Sequence, residues 1–166
     1  MRVEIIEILR NFTRDERSIP WGNAPHGELV FGKYQDLDEL FVVDFDRFVS
    51  RQKETYGWKA GQCIIHDFNM RTHQGEDHPR GIAVDFHFNG ISLFHQVMSC
   101  LEWGYRKVFF YPDWERPGIH VSYRYDGEGV LLGFGRYEEE GGEIVQRIYT
   151  NTHQPQIVRE VLAGVA

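Results

Sequence analysis

The segment from His78 to Asp85 contains the residues best suited to chemistry. It reads His-Pro-Arg-Gly-Ile-Ala-Val-Asp, so an imidazole in a polar stretch is followed seven residues later by a carboxylate among apolar residues. Burying such a carboxylate is costly unless a cation or hydrogen-bond donor meets it. Zinc accepts imidazole nitrogen and carboxylate oxygen in a four-coordinate shell, and a catalytic site leaves the fourth position to water. The segment is therefore a candidate source of two zinc ligands.

A third ligand is available in His120. It lies in an apolar stretch directly after Gly118, which permits close approach of the backbone. The chain has eight histidines, so a chance combination of His and Asp is a real alternative. In that alternative Asp85 pairs with Arg80 or Arg71, and the histidines are ordinary polar residues.

The wider pattern resembles a known family of metallopeptidases. His-x-x-Gly-x-Ala-x-Asp at residues 78–85 is followed by a helical pattern, by Tyr111-Pro112 and by His120-Val-Ser. This order resembles the zinc D-Ala-D-Ala carboxypeptidase family, which includes phage L-alanyl-D-glutamate endopeptidases and shares its fold with the hedgehog signalling domain. The resemblance covers roughly residues 38–125, and its first motif is more specific than its last.

The resemblance implies that His78, Asp85 and His120 hold the zinc. In the family, an arginine on the strand before the metal motif faces the substrate, and Arg71 occupies that place here with different spacing. Such an arginine could clamp a substrate carboxylate with two parallel hydrogen bonds, although a surface ion pair is the alternative. The two-residue period of a strand puts His87 on the same face as Asp85, so it is either a substrate-binding residue or an ordinary polar strand residue.

The catalytic acid is where this chain departs most from the family pattern. Many family members carry an acid three residues before the last histidine, as general base, but Pro117 occupies that position here. The nearest acids are Glu115 and Asp113, in a loop with two prolines and a glycine, and we favour Glu115 for its reach. The family serine two residues before the first ligand is replaced by Glu76.

The reaction implied by the resemblance is zinc-assisted hydrolysis of a peptide bond in peptidoglycan stem peptides. Glu115 or Asp113 would take the proton of the zinc-bound water and pass it to the leaving amine. Two alternatives remain: a zinc-containing binding domain of the same fold without efficient catalysis, which Pro117 favours, and a domain without metal.

The periodicity of apolar residues predicts an α+β domain of the hedgehog/DD-peptidase type, with a small, mostly antiparallel sheet and flanking helices. One helix is expected over 38–56, capped by Asp36 or Asp38 and stopped by Gly57. A second is expected over 92–102, with Ser92 as cap and Gly104 as stop. The other predicted elements are an irregular arm over 1–35, strands at 62–68, 81–88, 107–111, 119–125, 129–137 and 143–149, and a short helix at 155–162. All belong to a single domain over 1–166.

Composition narrows the classes of partner. The net charge of −7 argues against nucleic acid, which requires clustered Lys and Arg. No apolar run approaches the ~18 residues of a membrane-spanning helix, and acids interrupt the first apolar stretch, so neither a membrane segment nor a signal peptide is expected. We expect a monomer that is cytoplasmic, released by lysis or carried on a phage particle. Cys63 and Cys100 are expected to be buried free thiols.

Overall fold

The computed structural model describes residues 38–57, 63–67, 77–78, 80–113, 117–123 and 129–150, together with the backbone of two short strands, β1 (Arg14–Asp15) and β2 (Leu29–Val30). These two strands pair in parallel within the segment predicted to be an irregular arm. The rest of that arm and the helix predicted at 155–162 lie outside the described residues.

The described residues form two helices and a six-stranded mixed sheet. The helices are α1 (Glu39–Tyr56) and α2 (Leu93–Trp103), and the strands are β3 (Cys63–Asp67), β4 (Ala83–Phe88), β5 (Lys107–Tyr111), β6 (Gly118–Ser122), β7 (Leu131–Glu140) and β8 (Glu143–Tyr149). The strand order is β3-β4-β6-β5-β7-β8, and β5 pairs with β7 in parallel. The α+β class and the small sheet with helices are therefore confirmed, whereas the hedgehog/DD-peptidase type stays a prediction. No helix among the described residues is long and apolar enough to span a membrane.

The chain divides into two compact units, residues 1–90 and residues 91–166. The prediction of a single domain over 1–166 stays a prediction.

In the first unit, α1 begins and ends where its sequence signals predict. The side chain of Asp38 accepts a hydrogen bond from the Phe41 N–H at 2.9 Å. At the other end Gly57 adopts a left-handed conformation with φ of 65°, and its N–H donates to the Lys53 carbonyl. A side chain disfavours this conformation, so glycine is the natural helix stop here.

The first unit has its aromatic core on one side of β4. The rings of Phe86 and Phe88 pack against Phe45 and Phe48 of α1, with centroid separations of 5.1–6.0 Å. Since successive side chains of a strand alternate between faces, Asp85 and its neighbours at 83 and 87 lie on the opposite face. That polar face is also buried, because all six residues of β4 are largely shielded from solvent.

In the second unit, α2 packs against β5 and β6. Its start is capped by the Ser92 side chain, and it ends at Gly104 with φ of 101°, as the sequence predicts. Phe110, Phe134 and Tyr149 form a row of stacked rings across β5, β7 and β8. The strand period places Phe109 on the other face of β5.

Candidate metal centre

A tight turn fixes His78 in front of β4. The His78 carbonyl accepts a hydrogen bond from the Gly81 N–H at 2.9 Å, and the Asp77 carbonyl accepts one from the Ile82 N–H at 3.2 Å. Gly81 has a φ of 70°, a left-handed conformation that favours glycine. The Gly81 carbonyl in turn accepts the N–H of Asp38 at 3.0 Å, so the turn is tied to the start of α1.

This turn and β4 bring His78 and Asp85 together. The Nε2 atom of His78 lies 3.3 Å from Oδ1 of Asp85, and the two side chains are only 5% and 10% exposed. The alternative to a metal site pairs Asp85 with Arg80 or Arg71. Arg80 is exposed, and Arg71 lies outside the described residues. The His78 imidazole is therefore one close neighbour of the buried carboxylate.

His120 supplies the third donor. It lies in β6, where its backbone pairs with Phe109 of β5, and its imidazole meets the Phe109 ring edge-on at a centroid separation of 6.2 Å. His78, Asp85 and His120 are all buried, and one ligand atom from each lies within 4.8 Å of the others. The three residues singled out from the sequence therefore form one group that could hold a metal ion.

The donor types, two imidazoles and one carboxylate, are among those that zinc accepts. Two donors on a tetrahedral zinc with bonds of about 2.0–2.2 Å lie about 3.3–3.5 Å apart. The His78–Asp85 separation of 3.3 Å already has this value. Three ligands from the described residues would leave the fourth position of a four-coordinate shell to another group.

His87 lies on the same side of β4 as Asp85, and its side chain interacts with a residue just beyond the end of its own strand. It is 5% exposed, and its Nε2 lies 3.1 Å from Oδ1 of Asn89. Among the described residues, His87 is not a member of the metal-ligating group. Its role in binding substrate stays a prediction.

Of the two candidate bases, the structure describes only Asp113. Asp113 is exposed and follows β5, and its Oδ2 accepts the backbone N–H of Tyr137 in β7 at 3.0 Å. Since β5 lies between β6 and β7, this carboxylate is directed away from the strand that carries His120. Glu115, like Arg71, lies outside the described residues, and Pro117 is exposed just before β6. The catalytic assignments therefore stay predictions.

Sequence reasoning missed the aromatic side of the site. Phe109 is 7% exposed and contacts His120, yet a phenylalanine in an apolar strand gives no hint of that position. A signal was present in Gly133 and Gly135, because glycine inside a strand often marks close approach of another group.

Comparison of the chain with family models, curated proteins and solved structures finds no significant match. The resemblance to zinc D-Ala-D-Ala carboxypeptidases thus rests on the motif residues themselves, and what is established for this chain is a buried His–Asp–His group suited to a metal ion.

Proposed function

We propose that this protein is a zinc-dependent peptidase whose metal is held by His78, Asp85 and His120. The observation that carries the proposal is the convergence of these three side chains, buried and within 4.8 Å of one another. A buried carboxylate with two imidazoles is an expensive arrangement without a cation, and it matches the ligand set of hydrolytic zinc sites.

Each ligand has a distinct part in this proposal. When bound, zinc lowers the pKa of its water and polarises the scissile carbonyl. Asp85 contributes the one negative charge of the ligand set, so the loaded site keeps a net positive charge that attracts the carbonyl oxygen. The hydrogen-bonded turn around Gly81 holds His78 in place before metal arrives, which limits the conformational freedom lost on binding.

The substrate class follows from the resemblance and not from the site. Peptidoglycan stem peptides carry free carboxylates, which Arg71 would bind in a bidentate pair. Glu115 would accept the proton of the attacking water and deliver it to the amine that leaves.

A zinc domain without peptidase activity is the second candidate, and two observations favour it. Pro117 replaces the acid at the family position of the general base, and a proline has no group that accepts a proton. Asp113, one of the two substitutes, already accepts a hydrogen bond from Tyr137. Proper alignment of a base contributes about 10²–10⁴-fold to the rate, so a site without one would hydrolyse peptides very slowly.

Two measurements test the proposal in sequence. Elemental analysis of the purified protein should find about one zinc per chain in the parent and much less in His120→Ala. Digestion of wall peptides should then show cleavage by the parent and by the control Glu139→Gln, whose carboxylate is exposed on β7. Glu115→Gln should lose about 10²-fold or more in kcat.

Other outcomes select among the alternatives. Zinc without cleavage under any condition would favour the binding domain. A comparable loss of kcat in Asp113→Asn, with none in Glu115→Gln, would assign the role of general base to Asp113. A parent that neither contains nor takes up zinc would overturn the metal site and the peptidase together.

A further inference from the structure

Two glycines of β7 lie directly beneath aromatic rings of β5. A Cβ atom added to Gly133 would lie 2.3 Å from Cε1 of Phe109 and 2.6 Å from the Tyr149 carbonyl oxygen. A Cβ added to Gly135 would lie 2.6 Å from the Tyr111 ring. Real Cβ atoms do not approach other atoms this closely, so each ring occupies space that only a glycine leaves free.

The ring above Gly133 is also the ring beside the metal ligand. The strand register pairs Phe109 with Gly133 on one side of β5 and with His120 on the other. The Phe109 ring can therefore lean either towards β7 or towards β6. Because Gly133 has no side chain, the ring lies over β7, and its centroid stays 6.2 Å from that of the imidazole.

We propose that Gly133 is a positioning residue for the metal centre. By accepting the Phe109 ring over β7, it leaves room beside that ring for the imidazole of His120 to face the metal. This inference rests on the proposed role of His120 as a zinc ligand. An alanine at 133 drives the ring back towards β6, where it obstructs the ligand. Gly133 acts only through Phe109 and touches neither metal nor substrate.

Gly135 provides a matched control within the same strand. It lies two residues along β7, on the same face, and its substitution meets an aromatic ring at a similar distance, whereas the close contact with a backbone oxygen arises at Gly133 alone. Its ring partner, Tyr111, pairs across β5–β6 with Gly118 rather than with a ligand. If the glycines serve packing alone, both substitutions destabilise the protein and neither affects zinc affinity selectively.

The test is a measurement of zinc affinity by competition with a chromophoric chelator, at a temperature where circular dichroism shows each variant folded. Gly133→Ala should bind zinc about tenfold or more weakly, the usual effect of disturbing the support of a metal ligand. Gly135→Ala should stay within about threefold of the parent. The double variant Gly133→Ala with Phe109→Leu should recover its zinc affinity to within about threefold, because the smaller side chain no longer obstructs His120. It should stay less stable than the parent, because the added Cβ still meets the Tyr149 carbonyl oxygen. The absorption of bound Co²⁺ should change in Gly133→Ala and not in Gly135→Ala.

Several results would overturn the inference. Equal affinities for Gly133→Ala and Gly135→Ala would do so, as would a double variant that stays as weak as Gly133→Ala. If Gly133→Ala does not fold, Phe109→Trp against Tyr111→Trp makes the same comparison, and equal affinities there count against it. A parent that binds no zinc removes the proposed function as well, whereas a parent that binds zinc with no difference between the glycines removes this inference alone.

Discussion

Replacement of Asp85 by asparagine should remove most of the stability that zinc confers. Asparagine keeps the size of the side chain and a carbonyl oxygen 3.3 Å from His78, but it removes the only charge of the ligand set. Disturbing a partner of a metal ligand already costs 10–100-fold in affinity, so losing the charged ligand itself should cost at least about 100-fold.

The size of the effect follows from mass action. At a free zinc concentration of about 100 times Kd, the metal stabilises the folded parent by about 2.7 kcal/mol. A chain of this length gains about 2–4 °C in Tm per kcal/mol, so zinc should raise the Tm of the parent by about 5–11 °C. If Asp85→Asn weakens binding 100-fold, the same zinc concentration equals its Kd, the gain falls to about 0.4 kcal/mol, and the Tm rises by only about 1–2 °C.

The assay is thermal unfolding of chelator-stripped protein with and without zinc, followed by circular dichroism. Asp46→Asn is the matched control, because Asp46 is also buried, 4% exposed, but lies in α1 and is not in the metal-ligating group. We expect this control to change the Tm of the stripped protein while it keeps the full zinc-dependent rise. A rise in Asp85→Asn as large as that of the parent would refute the assignment of Asp85 as a ligand.

Three further predictions concern the described fold. Cys63 and Cys100 are buried free thiols, as expected from the sequence, so a thiol reagent should label neither in the native protein and both in denaturant. Early labelling in native buffer would contradict their burial. Phe86 is fully buried and meets three other rings, so Phe86→Ala should lower the free energy of unfolding by about 3–5 kcal/mol in a urea titration; a loss below about 1 kcal/mol would contradict its place in the core. Burial raises the pKa of the Cys63 thiol, and a hydrogen bond to a β7 carboxylate raises the pKa of the Tyr149 hydroxyl. Both groups ionise first in the unfolded chain, so stability should fall as the pH rises through about 8.5–10, and Tyr149→Phe should reduce the part of the fall that lies nearest pH 10.

The elements of this fold were predictable because their signals are local. Asp38 and Gly57 bound α1, and Ser92 and Gly104 bound α2, because capping and left-handed geometry depend on a few neighbouring residues. The strands of the six-stranded sheet were predicted within a few residues of their observed ends for the same reason, whereas the two-residue strands β1 and β2 were not predicted.

Which strands pair with each other could not be predicted from local sequence signals. The parallel pairing of β5 with β7 joins segments separated by β6, and nothing in the periodicity of either strand specifies that partner. Consequently the close approach of Phe109 to both Gly133 and His120 could not be predicted, since it depends on two strand registers at once.

The group of His78, Asp85 and His120 was predicted for two other reasons, namely the energetic anomaly of Asp85 and the family resemblance of the motif residues. A strand with Phe86 and Phe88 on one face and a buried carboxylate on the other requires a cation or a hydrogen-bond donor on the second face. A simple alternative to a metal ion is an ion pair, because a protonated His78 at 3.3 Å could neutralise Asp85.

Such an ion pair would involve only two of the three residues in the group. An ion pair between His78 and Asp85 requires no second imidazole, yet His120 is also buried, 9% exposed, with a ring atom within 4.8 Å of both partners. A dication would instead take one ligand atom from each of the three side chains. The presence of three buried donors instead of two is therefore the main physical argument that this group could hold a metal ion.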